Sequence, residues 1–179
     1  GRKVDFRSVG DARAAGVGMV FQEFSLVPTL SVAQNVFLTR EARSRGGLID
    51  DREMERQTKE LFATMSVDVD PRRPLDELPT AFWQLTEIAK ALSQDARVLI
   101  MDEPTAALAK TETVELFELM RRLKSRGISV VYISHRMEEV FDVCDRITVL
   151  RYGRALMTEE RTKVTPGYAT HESIAPKPE

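Results

Sequence analysis

Cysteine is nearly missing from this sequence: Cys144 is the only one among 179 residues. No disulfide can form within the chain, and a reducing cytosol is the simplest setting. With no Cys or His cluster around it, Cys144 reads as a small core residue. Long apolar runs are missing too. No segment approaches the roughly 18 residues that a membrane-spanning helix needs, and no apolar stretch of a signal peptide follows Gly1-Arg2-Lys3-Val4-Asp5. An excess of either charge is lacking, with 26 basic against 28 acidic side chains. That balance gives no electrostatic reason to expect nucleic acid or an anionic membrane as partner. The chain also has no initiator Met, which suggests a fragment whose natural beginning lies upstream. What is present is 42% hydrophobic and 30% charged residues, enough apolar material for a buried core.

Periodicity places the elements. Ser8 is positioned to cap a short helix reaching Ala15, and Val17 to Phe21 read as a strand emerging from a turn marked by Gly16 and Gly18. Ser31 caps a helix carrying Val32, Val36 and Phe37. A second helix spans Asp51 to Met65, with Met54, Leu61, Phe62 and Met65 on its apolar side. After a connector rich in Pro and Asp, Thr80 is the candidate cap of a helix with Phe82, Leu85, Ile88, Ala89 and Leu92 at helical spacing. The apolar run from Val98 to Met101 ends on Asp102-Glu103-Pro104. A helix from about Thr111 to Arg126 follows and stops at Gly127, before a second run from Ile128 to Ile133. A helix carrying Met137, Val140 and Phe141 leads to a third strand, Ile147 to Leu150, with a turn at Tyr152-Gly153.

Apolar strands alternating with amphipathic helices predict an α/β fold with a parallel sheet covered on both sides. The strandless stretch between them predicts an inserted α-helical subdomain at about 29–95, leaving 1–28 and 96–157 as core. From 158 to 179 the sequence is polar, contains three prolines and reads as a loosely held tail.

The chemistry concentrates at strand ends. Asp102 and Glu103 sit at the carboxyl end of a buried strand, where open α/β sheets bind ligands. Two adjacent acids against apolar neighbours are costly unless a cation or hydrogen bonds compensate. Asp102 is therefore the candidate Mg²⁺ ligand, directly or through water, and Glu103 the candidate general base for an attacking water. His135 ends the next strand, where a terminal phosphate or the attacking water would be in reach if the two strands run parallel. Gln22 follows the first strand and is placed to sense the same metal and water.

These pieces, in this order, resemble the nucleotide-binding subunit of an ATP-binding cassette (ABC) transporter, from about Val4 to about Arg154. Gly18-Met19-Val20-Phe21-Gln22 resembles the family's Q-loop, and Val98 to Pro104 its Walker B motif with the catalytic Glu. Ala106-Ala107-Leu108 stands at the D-loop and Ile133-Ser134-His135 at the switch histidine. Glu87 to Leu92 resembles the helix that follows the signature sequence. Gln22-Glu23-Phe24, Glu87 to Leu92 and Tyr132 to Arg136 are most similar to importers of simple sugars such as ribose, xylose or galactose, in their first cassette.

The resemblance implies a phosphate-loop (RecA-like) fold, ATP and Mg²⁺ as cofactors, and a peripheral place on the cytoplasmic face of the cell membrane. It also implies a membrane permease, a second ATPase cassette in a head-to-tail dimer or tandem half, and indirectly a periplasmic sugar-binding protein as partners. Phe24, Leu26, Val27 and Leu30 become candidate permease contacts. Two departures stand against it. None of the nine glycines is followed by Lys, so no G-x-x-x-x-G-K-[ST] phosphate loop occurs, and the Walker A part is expected upstream. The stretch aligned with the signature is Leu78-Pro79-Thr80-Ala81-Phe82. Pro79 stands where a Ser hydroxyl would meet the partner's γ-phosphate, and Phe82 replaces the Gln, with Thr80 and Ala81 between them. Two other readings remain open: a soluble cassette ATPase acting elsewhere, and a non-catalytic cassette that pairs with an active one.

Overall fold

Ser8 opens the described part of the fold with a capping box. Its Oγ accepts the Asp11 N–H at 3.1 Å, and Asp11 Oδ2 accepts the Ser8 N–H at 3.1 Å. In the computed structural model, which describes residues 4–164, this caps helix α1 (Val9–Ala14). Gly16, at φ 82°, turns the chain into strand β1 (Val17–Val20). The chain then forms α2 (Val32–Val36), α3 (Asp51–Thr64), α4 (Thr80–Leu92), β2 (Val98–Asp102), α5 (Lys110–Ser125) and β3 (Ser129–Ile133).

The three strands pair in parallel in the order β1-β2-β3. Register sets their faces. Gly18, Val20, Leu99, Met101, Val130 and Tyr132 share one face, on which Val20, Leu99 and Met101 are fully buried. Helices α4 and α5 make their sheet contacts with β1 and β3 respectively. The other face carries Met19, Ile100, Val131 and Ile133, with Met19, Val131 and Ile133 39%, 47% and 44% exposed. This corrects the expectation of a sheet covered on both sides: among the described residues, one face is buried at its centre and half-buried at Gly18, Val130 and Tyr132, and the other stays largely open.

The stretch between β1 and β2 is helical, as the missing strand signals require. Ser31 caps α2 in a second capping box with Gln34, and Asp50 caps α3 through the Glu53 N–H. Val32, Val36, Met54, Phe62, Met65, Leu75 and Ile88 are at most 1% exposed, each burial contributing about 1.5–3 kcal/mol. Helix α4 packs on α2, α3 and β1 together, so residues 4–133 form one compact unit. Packing on several sides is why its buried set departs from the apolar spacing. Gln84, Thr86 and Glu87 are buried with Ile88, Ala89 and Ala91, while Phe82, Leu85 and Leu92 are half-buried. Thr80 does not cap α4. Pro79 holds the cap position with no side-chain hydrogen bond, a place where the missing N–H of proline costs nothing.

The second unit begins at Ser134, inside the stretch the sequence reading treats as one core. Its described part contains α6 (Met137–Val143), β4 (Arg146–Arg151) and β5 (Arg154–Glu160). The third strand does not join the parallel sheet. Strand β4 pairs antiparallel with β5 through Tyr152 and Gly153, whose φ values of 49° and 73° suit a tight hairpin turn. Hairpin pairing also overrides the expected tail boundary at 158: Thr158 faces Thr148, and the strand continues through Glu160. The remainder of that tail, 165–179, lies outside the described residues.

Candidate functional site

Parallel pairing puts the carboxyl ends of β1, β2 and β3 on one edge, and three of the candidate residues gather there. Val20 pairs with Met101, so Gln22 lies two residues past the paired end of β1 and Asp102 one residue past its partner. Asp102 is half-buried and pairs with Ile133 at the end of β3. Beyond it the chain turns sharply. Glu103 has φ 47°, a left-handed conformation that costs a non-glycine residue on the order of 1–3 kcal/mol. Its N–H donates to the Ile133 carbonyl at 2.9 Å and its own carbonyl accepts the Ala106 N–H at 3.1 Å. Pro104 and Thr105 behind it are buried. The turn ends the strand at Asp102, and the Glu103 side chain is half-buried.

His135 follows the end of β3 by two residues and belongs to the second unit. It is exposed, and Ser134 Oγ beside it accepts the Arg136 N–H at 3.0 Å. Arg136 in turn pairs with Glu139 at 3.1 Å.

No group of three or more metal-ligating side chains occurs among the described residues. A divalent cation that keeps its waters and binds substrate phosphates needs only one or two protein ligands, as Mg²⁺ does. Asp102 and Gln22, past the ends of the neighbouring strands β2 and β1, are the residues that would hold it. For a nucleotide the fit is partial. Glu103 and Asp102 suit the metal and water end, whereas no glycine-lysine loop to cradle the phosphates is in the sequence.

The signature-like stretch runs from buried Leu78 into the start of α4. Pro79 and Thr80 are exposed; Ala81 and Phe82 are half-buried. The Phe82 N–H returns to the Pro79 carbonyl at 2.9 Å. Thr80 and Ala81 thus hold first-turn N–H groups at a helix start with no side-chain cap, a geometry that favours an anion.

Between Gln22 and α2 the loop is held more firmly than its composition indicates. Asn35, fully buried, accepts the Val27 N–H at 2.7 Å and donates to the carbonyls of Val27, Leu30 and Ser31 at 3.0, 3.2 and 3.1 Å. Phe24 packs on Trp83 with ring centroids 5.6 Å apart. Of the four candidate permease contacts, Leu26 is buried, Phe24 and Leu30 are half-buried, and Val27 is 38% exposed. Sequence reasoning passed over Asn35 and gave Glu87 no role. A carboxylate inside the otherwise apolar turn Ile88-Ala89 was the available signal for Glu87.

The sequence model of the family described as ABC transporter matches residues 2–106. A ribose import ATP-binding protein RbsA of Hahella chejuensis is 48% identical over 160 residues, 89% of this chain and 32% of the relative. One from Burkholderia thailandensis, RbsA 1, is 51% identical over 162 residues, again 32% of its length. The chain therefore spans about a third of the length of these relatives. Among solved structures, a nucleotide-free ATP-binding cassette from an ABC transporter superposes with a TM-score of 0.74 at 19% identity, covering 93% of this chain and 71% of that one. cbiO1 from Clostridium perfringens, part of the ABC transporter complex cbiONQ, gives 0.68 at 24%, covering 84% and 59%. These likenesses establish the α/β phosphate-loop NTPase fold with its parallel sheet.

Proposed function

Because this chain belongs to the ABC transporter family, we propose that it supplies the metal- and water-positioning part of an ATP-hydrolysing site that drives uptake of a sugar through a membrane permease. The observation that carries the reading is the end of β2, where half-buried Asp102 and left-handed Glu103 stand side by side on the edge that also bears Gln22. Glu103 takes a proton from the water that attacks the γ-phosphorus, and ADP leaves with the displaced oxygen. Asp102 with Gln22 would hold Mg²⁺, which would supply charge neutralisation on the phosphates. For His135, which belongs to the second unit, the part of steadying the terminal phosphate or the water rests on the family resemblance of Ile133-Ser134-His135 alone. The uncapped start of α4, Pro79 to Phe82, is assigned to the phosphate of a second cassette's nucleotide, through its N–H groups.

Sugar is the cargo class that the ribose-import relatives support. The permease partner is supported by the membership of cbiO1 in a transporter complex, and among the described residues no helix is long and apolar enough to cross a membrane. The complete protein, reconstituted with its permease and binding protein in liposomes, tests the reading: ribose on the binding-protein side should stimulate ATP turnover several-fold. Turnover indifferent to every sugar, with the permease present, would remove transport from the assignment.

A further inference from the structure

Three residues of α4, Trp83, Glu87 and Lys90, stand at i, i+4 and i+7 and therefore on one stripe of the helix. All three engage the loop that carries Gln22. Trp83 holds the Phe24 ring. The Glu87 carboxylate, 2% exposed, accepts the Ser25 backbone N–H on one oxygen and the Ser25 hydroxyl on the other at 3.3 Å. The Lys90 ammonium donates to the Ser25 carbonyl at 3.1 Å and to its hydroxyl at 3.0 Å. Every polar group of Ser25 is thus bound by α4, and both of its backbone groups are bound by side chains. Burying a carboxylate to hold an exposed loop residue is costly where an apolar contact would serve packing alone. What the polar clasp adds is register: it fixes the loop along the helix axis, which an apolar contact does not.

We propose that Glu87 and Lys90 are positioning residues that clasp Ser25 and so set where Gln22 stands relative to Asp102 and Glu103. The proposal rests on the ATPase reading above. Between Val20, fully buried in the sheet, and the Phe24–Ser25 attachment, only Phe21, Gln22 and Glu23 intervene, all exposed. Gln22 hangs on a three-residue span whose far end is fixed by α4, and the same helix carries Thr80 to Phe82 at its start, about 10 Å from Glu87 by helical rise.

The test is steady-state ATP hydrolysis by the complete protein. Glu87→Leu should lower kcat by about 10–100-fold, the range for a misplaced catalytic constellation, with KM for ATP within about twofold of wild type. Glu87→Gln, whose amide oxygen still accepts the Ser25 N–H, should recover most of kcat, a rescue that a purely packing role does not predict. Lys90→Met, at a half-buried site, serves where Glu87→Leu fails to fold, and should lower kcat several-fold with an unchanged melting temperature. Wild-type kcat in Glu87→Leu, equal losses in the Leu and Gln variants, or an effect confined to KM would each overturn the clasp; if Glu87→Leu fails to fold, wild-type kcat in Lys90→Met would do so. Glu103→Gln is measured alongside: if it alone leaves turnover intact, the failure belongs to the ATPase reading instead.

Discussion

Asn35 and Pro79 are single residues with effects that their type alone does not announce. Asn35 accepts the Val27 N–H and adds a side-chain donor to three carbonyls of the loop 27–31 from inside the core. Asn35→Ala leaves the Val27 N–H without its acceptor and a gap in the core, while the three carbonyls keep the backbone N–H groups of Leu30, Leu75 and Asn35, and the loss should be about 1–3 kcal/mol in urea unfolding. A change below about 1 kcal/mol would mean that Val27 and Leu30 are held by other contacts. Pro79, exposed with ψ 153°, occupies a cap geometry that a serine adopts without strain. Pro79→Ser in the complete protein should strengthen ATP-dependent cassette pairing about tenfold or more, since a charge-assisted hydrogen bond contributes about 1.5–3 kcal/mol. Pairing unchanged by the substitution would show that the Thr80 and Ala81 N–H groups already suffice.

At the scale of elements, the close approach of β1 to its neighbours sets the tolerance of the sheet. A Cβ on Gly18 would stand 3.0 Å from the Ala96 Cβ and 3.1 Å from the Ala91 Cβ on α4. Gly18→Ala should therefore destabilise by about 1–3 kcal/mol through overpacking, read as a lower midpoint in thermal unfolding; an unchanged midpoint would show that α4 gives way freely. The sequence marks Gly18 only as part of a turn, because a glycine demanded by packing and one demanded by φ look alike in one dimension. Helix positions and their caps at Ser8 and Ser31 were legible, since capping boxes and 3.6-residue spacing are local signals. The buried face of α4 was not, because a helix packed on several sides follows no single stripe. Nor was the partner of β4: its apolar run is compatible with either sheet, and only the hairpin turn at Tyr152-Gly153 decides for β5.

For the molecule as a whole, the parallel direction of the strands was the legible part and the extent of coverage was not. Parallel pairing of β1, β2 and β3 follows from apolar runs separated by helices, and it brings Gln22, Asp102 and Glu103 to one edge. The left-handed turn at Glu103 has no sequence signature, since Glu is not a residue that favours it. One consequence concerns the 179-residue chain itself. It carries no glycine-lysine phosphate loop, and losing three charge-assisted hydrogen bonds of about 1.5–3 kcal/mol each turns micromolar binding into unmeasurable binding. Calorimetry with Mg-ATP on this chain should show no binding; a Kd below about 100 μM, roughly −5.5 kcal/mol, would mean that another element grips the phosphates. The central claim, that Glu103 at the end of β2 activates the water, is tested most directly by ATP hydrolysis in the complete protein carrying Glu103→Gln. Turnover should fall by about 10²–10⁴-fold, the contribution of a positioned base, while ATP binding is retained. Wild-type turnover in that variant would contradict the assignment.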